Sequence, residues 1–172
     1  TRDLASIDSV DMAALTTAQV AALTTAQLRA LGTDDIGGIS TAGMAGMSSA
    51  QLAALSTAQI VALGTDQANA LGTAQLRGLG THQLAALATD DLVAMTTAQL
   101  AALTSVQLMA LTATQLDALS SDALGALSAA QMRGITSTAL AALDSTDLGA
   151  LTAAQLGALS SSQLAGLATD AL

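Results

Sequence analysis

Few residues in this chain could do chemistry, and their surroundings decide what that chemistry would be. His82 is the only histidine. A base of that kind needs a nucleophile or an orienting carboxylate beside it, and the sequence singles out neither. His82 therefore reads as a solvent-facing substitution. With one histidine and no cysteine, a transition-metal site is not expected, because such sites gather several imidazoles or thiolates. The tandem carboxylates Asp34-Asp35 and Asp90-Asp91 could recruit calcium or magnesium, but calcium takes about six to eight oxygens from a turning loop. The Asp-rich nonapeptide pattern of calcium β-rolls is absent, and helix-terminal charge explains these pairs more simply. Paired acids for glycoside hydrolysis would need a cleft and sugar platforms, yet the chain has no aromatic residue. The glycines around Gly37, Gly38, Gly43 and Gly46 lack the lysine and the preceding strand of a phosphate loop. The expectation is no catalytic residue, no cofactor, no metal ligand and no enzyme.

What must position any function is an eight-residue repeat. Every eighth residue from Ile7 to Leu167 is Leu, Ile or Met, and the usual unit reads Leu-Thr-Thr-Ala-Gln-Leu-Ala-Ala, as in Leu15 to Ala22. With the eight positions named a to h from Leu15, position f is apolar and branched or Met except at Ala68, and h is always small. Fixed-period repetition implies an array in which each unit leans on its neighbours. Residues 1–172 form one continuous array without a linker, and Thr1 and Leu172 both fall in mid-repeat, as in a fragment of a longer array.

The period selects the backbone. A single long helix fails, because eight residues turn through about 800° and the apolar stripe drifts by about 80° per repeat. A strand would place Leu15 and Val20 on opposite faces. A short helix restarted in every octad fits. Thr16 to Gln19 is a capping box, and Leu15 with Val20 forms the accompanying hydrophobic staple. The same grammar recurs at Met47-Ser48-Gln51-Leu52 and Leu151-Thr152-Gln155-Leu156. Glycine at position b (Gly32, Gly64, Gly72, Gly80) is expected to end the preceding helix at positive φ.

Charge gives an independent test. Every aspartate except Asp117 lies at b, d or e, while Arg29, Arg77 and Arg133 lie at g. That sorting matches one dipole per octad. A helix from c to h is too short to stand alone, so stacking must hold it. The fold expected is an all-α solenoid of very short helices, one per octad. The runner-up is a β-solenoid with sixteen residues per coil, two octads. Met12, Met44, Met47, Met95 and Met132 belong to the core, whereas Met109 at g faces outward as a lateral contact. Ala68 and Asn69 weaken one repeat.

Only 10% of residues are charged, and the net charge is −9. A surface so short of charge promotes association. Without a basic patch there is no nucleic-acid partner, and with Ser or Thr in every octad no membrane span is expected.

The Leu-Thr-Thr-Ala-Gln-Leu-Ala-Ala unit of Leu15 to Ala22, seen again at Met95 to Ala102, resembles octad tracts in large secreted bacterial proteins of the haemagglutinin or adhesin type. The resemblance covers the whole chain and implies an extracellular or cell-surface structural array, with no catalytic residues to carry over. The function expected is a stalk or self-assembling fibre subunit whose partner is itself. The alternative is a binding module whose threonine rows at position c (Thr17, Thr25, Thr33, Thr41, Thr57) meet ice, glycan or protein.

Overall fold

The computed structural model describes residues 8–167, which are helical with no strand among them. The β-solenoid is thereby excluded. The chain divides into two compact units, Thr1–Ala94 and Met95–Leu172. The first carries α1 (Ser9–Ala14), α2 (Thr17–Ala22), α3 (Thr25–Ala30), α4 (Thr33–Gly38), α5 (Thr41–Gly46), α6 (Ser49–Ala53), α7 (Thr57–Val61), α8 (Thr65–Asn69), α9 (Thr73–Gly78), α10 (Thr81–Ala86) and α11 (Thr89–Val93). The second carries α12 (Thr97–Ala102), α13 (Ser105–Leu108), α14 (Ala113–Asp117), α15 (Ser121–Gly125), α16 (Ala129–Met132), α17 (Ser137–Leu140), α18 (Ser145–Ala150), α19 (Ala153–Leu156) and α20 (Ser161–Ala165).

Each octad starts a helix for the reason its sequence suggests. In α2 the Thr16 hydroxyl accepts the Gln19 backbone N–H, and the Gln19 side chain accepts the Thr16 N–H at 2.9 Å. The two free donors at the helix start are thus satisfied reciprocally. The helix ends when Leu23 turns extended at φ −65°, ψ 133°, its N–H donating to the Val20 carbonyl three residues back. Leu23 and Thr24 then form an extended corner, and α3 begins.

Glycine at position b departs from expectation. Gly32, Gly64, Gly72 and Gly80 all have negative φ in the extended region and serve as N-caps. No described residue has positive φ. The corner is already extended at a, so no left-handed residue is needed to end the helix. Glycine at b instead keeps half of the box: the Gln83 side chain accepts the Gly80 N–H at 2.8 Å, with no hydroxyl to reciprocate.

Within each unit, the helices that pack on one another are three octads apart. α1 meets α4, α2 meets α5, α6 meets α9 and α8 meets α11; in the second unit α14 meets α17 and α15 meets α18. Three octads, or 24 residues, therefore complete one turn. The f residues point inward and are fully buried from Met12 through Leu140, Leu100 retaining only 1% exposure. The a residues close the same core from the corners, and the five methionines expected in the core are all buried. Neither set could hold a four- to six-residue helix by local contacts; burial against the turn below does so.

Small residues at h let successive turns touch. A Cβ on Gly134 would meet the Ser105 backbone, at 2.6 Å from its carbonyl carbon and 2.7 Å from its Cα. Gly38 stands in the same relation to the Ser9 backbone, whereas a Cβ on Gly78 would meet the Ser49 Cβ at 2.8 Å. Gly149, at g in α18, has nothing within 4 Å of the place a Cβ would take. Gly134→Ala should cost about 2–3 kcal/mol through overpacking, whereas Gly149→Ala should gain about 0.5–1 kcal/mol by removing a helical glycine. Thermal melting of the two variants against the parent chain checks the pair, and equal shifts would refute the close-approach argument.

Candidate functional site

The residue that repays inspection is the glutamine at position e, because its side-chain amide works at both ends. In α7 the Gln59 Oε1 accepts the Ser56 N–H at 2.9 Å, capping its own helix. Its Nε2 donates to the Leu28 carbonyl at 2.8 Å and the Leu31 carbonyl at 2.9 Å. Those carbonyls close α3, which precedes the helix that α7 rests on. One amide thus satisfies free donors at one helix start and free acceptors at another helix end, 28 and 31 residues earlier.

The arrangement recurs in register. Gln51 reaches Val20 and Leu23, Gln67 reaches Ile36 and Ile39, Gln75 reaches Met44 and Met47, and Gln83 reaches Leu52 and Leu55. In the second unit Gln131 reaches Leu100 and Leu103, Gln155 reaches Leu124 and Leu127, and Gln163 reaches Met132 and Ile135. These glutamines are buried, whereas in the first turn Gln19 is exposed and Gln27 half-buried, and among the described residues each makes only its local cap. Spacing alone suggested the cap; the bridge to the earlier helix end was not foreseen. The signal that could have shown it was the complete absence of glutamate, since glutamate completes a capping box equally well but cannot donate.

Position c, which capping did not explain, contributes a second link. The Thr17 hydroxyl donates to the Ala42 carbonyl at 3.3 Å and the Ser49 hydroxyl to the Ala74 carbonyl at 2.9 Å, each 25 residues ahead. Arginine at g acts likewise: Arg29 Nε donates to the Ala54 carbonyl at 3.1 Å, serving the end of the next turn's helix.

The residues singled out for chemistry are scattered. His82 is exposed on α10. Asp34 is exposed, while Asp35 accepts the Gly32 N–H at 2.9 Å as a cap. Among the described residues no three His, Cys, Asp or Glu side chains converge. Met109 is 53% exposed, as expected of position g. Ala68 is fully buried where larger side chains stand elsewhere, and Gln67 beside it still makes its bridge. The open grooves follow small residues: one of about 670 Å³ lies over Gly37 and Gly38 beside Val10 and Asp34.

Asp91 is the exception. It occupies e and is 2% exposed, and the N-cap of its helix is Ala88, which has no hydroxyl. The Thr65 hydroxyl donates to Asp91 Oδ1 at 3.1 Å, and Oδ2 is buried without a partner. Burial pushes this carboxyl above the usual carboxylate range, and Asp90 adds to that. The Thr65 hydroxyl and the Ala88 backbone amide pull it the other way. Asp91 does lie in the first turn of α11, as expected of a helix-terminal charge, but it stands where most octads place an inward-facing glutamine and is buried there. Asp147 sits alike in the second unit, buried and accepting the Ser121 hydroxyl at 3.2 Å.

An array of octads with this capping grammar is a repeat protein, and the chain belongs to the ALTTAQ repeat family. It matches that repeat over residues 4–41, 36–73, 69–96, 84–121 and 140–172. No curated protein matches it. Among the described residues no helix is long and apolar enough to cross a membrane.

The amide's two roles can be separated. Gln83→Glu keeps the acceptor for the Gly80 N–H but faces the Leu52 and Leu55 carbonyls with negative charge, and should cost about 3 kcal/mol or more. Gln19→Glu on the exposed first turn should stay within about 0.5 kcal/mol of the parent. Urea melts of both variants measure the difference; similar losses would mean that the cap, not the bridge, is what matters.

Proposed function

We propose that this chain is a structural array, a stalk or self-assembling fibre segment of a secreted or surface-exposed bacterial protein, with copies of itself as partner and no catalytic role. The observation that carries this reading is the use made of the polar groups. Glutamine amides, with the c hydroxyls of Thr17, Ser49, Thr65 and Ser121, are spent on holding one turn to the next, within each unit. Such a design extends by adding octads and needs no closed core.

Several features support self-association and an extracellular setting. The surface is poor in charge, and apolar side chains stand exposed at Val61, Val93, Val106 and Met109. The octad itself resembles tracts of secreted haemagglutinin-type proteins. In the c row the Thr17 and Ser49 hydroxyls are already engaged with backbone carbonyls, which breaks the regular array that ordering ice would need. Nucleic acid is no partner of a chain with four basic side chains and net charge −9.

Light scattering over a range of concentrations, followed by negative-stain electron microscopy, tests the assembly. Concentration-dependent growth into rods or filaments is expected. A monomer at every concentration would overturn self-association, and activity in ice-recrystallisation or glycan-array assays would replace the structural reading with a binding one.

A further inference from the structure

The most anomalous group in the described chain is the Asp91 carboxyl. Everywhere that glutamine stands at e in the rungs of the first unit from Gln51 to Gln83, an N–H donor faces two backbone carbonyls, 28 and 31 residues earlier. Counting back from Asp91, the corresponding carbonyls are Leu63 and Ile60. The Ile60 carbonyl accepts the Leu63 N–H at 3.1 Å. Among the described residues no donor reaches the Leu63 carbonyl. The same rung thus holds a buried carboxylate oxygen without a donor and a helix-end carbonyl without a donor. By the register of the glutamine octads, the Leu63 carbonyl is the helix-end acceptor that this rung would bridge to, and a proton on Oδ2 would supply the missing donor.

We propose that Asp91 is a proton-operated rung: its neutral carboxyl donates to the Leu63 carbonyl in place of a glutamine amide, and ionisation opens that corner of the first unit. The proton comes from solvent to Oδ2 and returns there; no other bond changes. Oδ1 keeps the Thr65 hydroxyl in both states. As at the glycine-capped helices α8, α9 and α10, the N-cap of α11 supplies no hydroxyl, so its e side chain is the side-chain group left to serve that corner. The exposed Asp90 carboxylate on the same helix favours the neutral form, and α8 carries one further titratable residue, the exposed Asp66. α7 carries no titratable residue, and His82 on α10 is exposed.

The direction of the pH effect follows from linkage. Folding holds this proton more tightly than the unfolded chain does, so the stabilisation is complete below the ordinary value of 3.8. It is lost as pH rises from there through the raised folded value, and is flat above. Across that window the opening equilibrium should grow by up to about tenfold per pH unit, the limit for one proton.

Amide hydrogen exchange on the full chain, read at Leu92 to Ala94 and at Leu63 to Thr65, tests this against Asp91→Gln and Asp91→Asn at matched pH. The parent should lose protection relative to both variants as pH rises through the window, and the variants should keep theirs. A parent-to-variant ratio constant from pH 3 to 8 would overturn the proposal. Carbon NMR of the parent's Asp91 carboxyl decides the matter even if a variant fails to fold: titration above the ordinary aspartate range is required, and titration at or below it refutes the rung.

Discussion

The fold depends on a primary amide that accepts at one helix start while it donates at another helix end. A helix of four to six residues leaves most of its backbone groups without intrahelical partners. In an ordinary protein that is a problem at two termini separated by several turns. Here termini make up nearly the whole helix, so the chain must supply partners at every octad. Glutamine at e does this with one planar group whose oxygen and nitrogen point to different turns. Gln59 joins the start of α7 to the end of α3. Local capping and long-range stacking become the same interaction.

That identity has an energetic consequence. A net hydrogen bond contributes roughly 1 kcal/mol, but a buried amide left unpaired costs more. Neither the helix nor the turn-to-turn contact is stable without the other, so the octads are coupled to neighbours and to octads three and four places back. Apolar burial at a and f supplies the bulk of the drive, and it is nonspecific along the array because those positions look alike. The amide bridge adds a directional constraint: it sets how a helix start faces the helix ends 28 and 31 residues earlier, which apolar contact alone does not.

Much of this was legible in the sequence, and the rest was hidden for a definable reason. Helix starts at b, staples from a to f, core methionines and the outward Met109 all follow from relations within eight or nine residues. The number of octads per turn does not, since nothing within one octad records what lies 24 residues away. The second role of Gln59 was invisible for the same cause, although the missing glutamate marked it. Gly80 was misread because positive φ is the common use of glycine after a helix, while here Leu79 is already extended at φ −65°, ψ 135° and ends the helix itself. The place of Asp91 in a helix first turn was legible, but its burial was not, because only the stacking of α11 on α8 turns position e inward.

Departures from glutamine at e then take on graded meaning. Ala123 and Ala139 leave the bridge out without placing charge in the gap, and both are buried. Gly43 does the same, and a Cβ there would sit 2.9 Å from the Ile39 side chain and 3.1 Å from Val20, so the turn has closed over the missing side chain. Asp91 and Asp147 instead bring a carboxyl inward, and each recruits the c hydroxyl of the turn below, Thr65 or Ser121. The hydroxyl that elsewhere donates to backbone, as from Ser49 to Ala74, is diverted to the acid. An array built from one repeated bond therefore carries its variation where that bond is replaced, with an alanine, a glycine or an inward carboxyl in place of the amide.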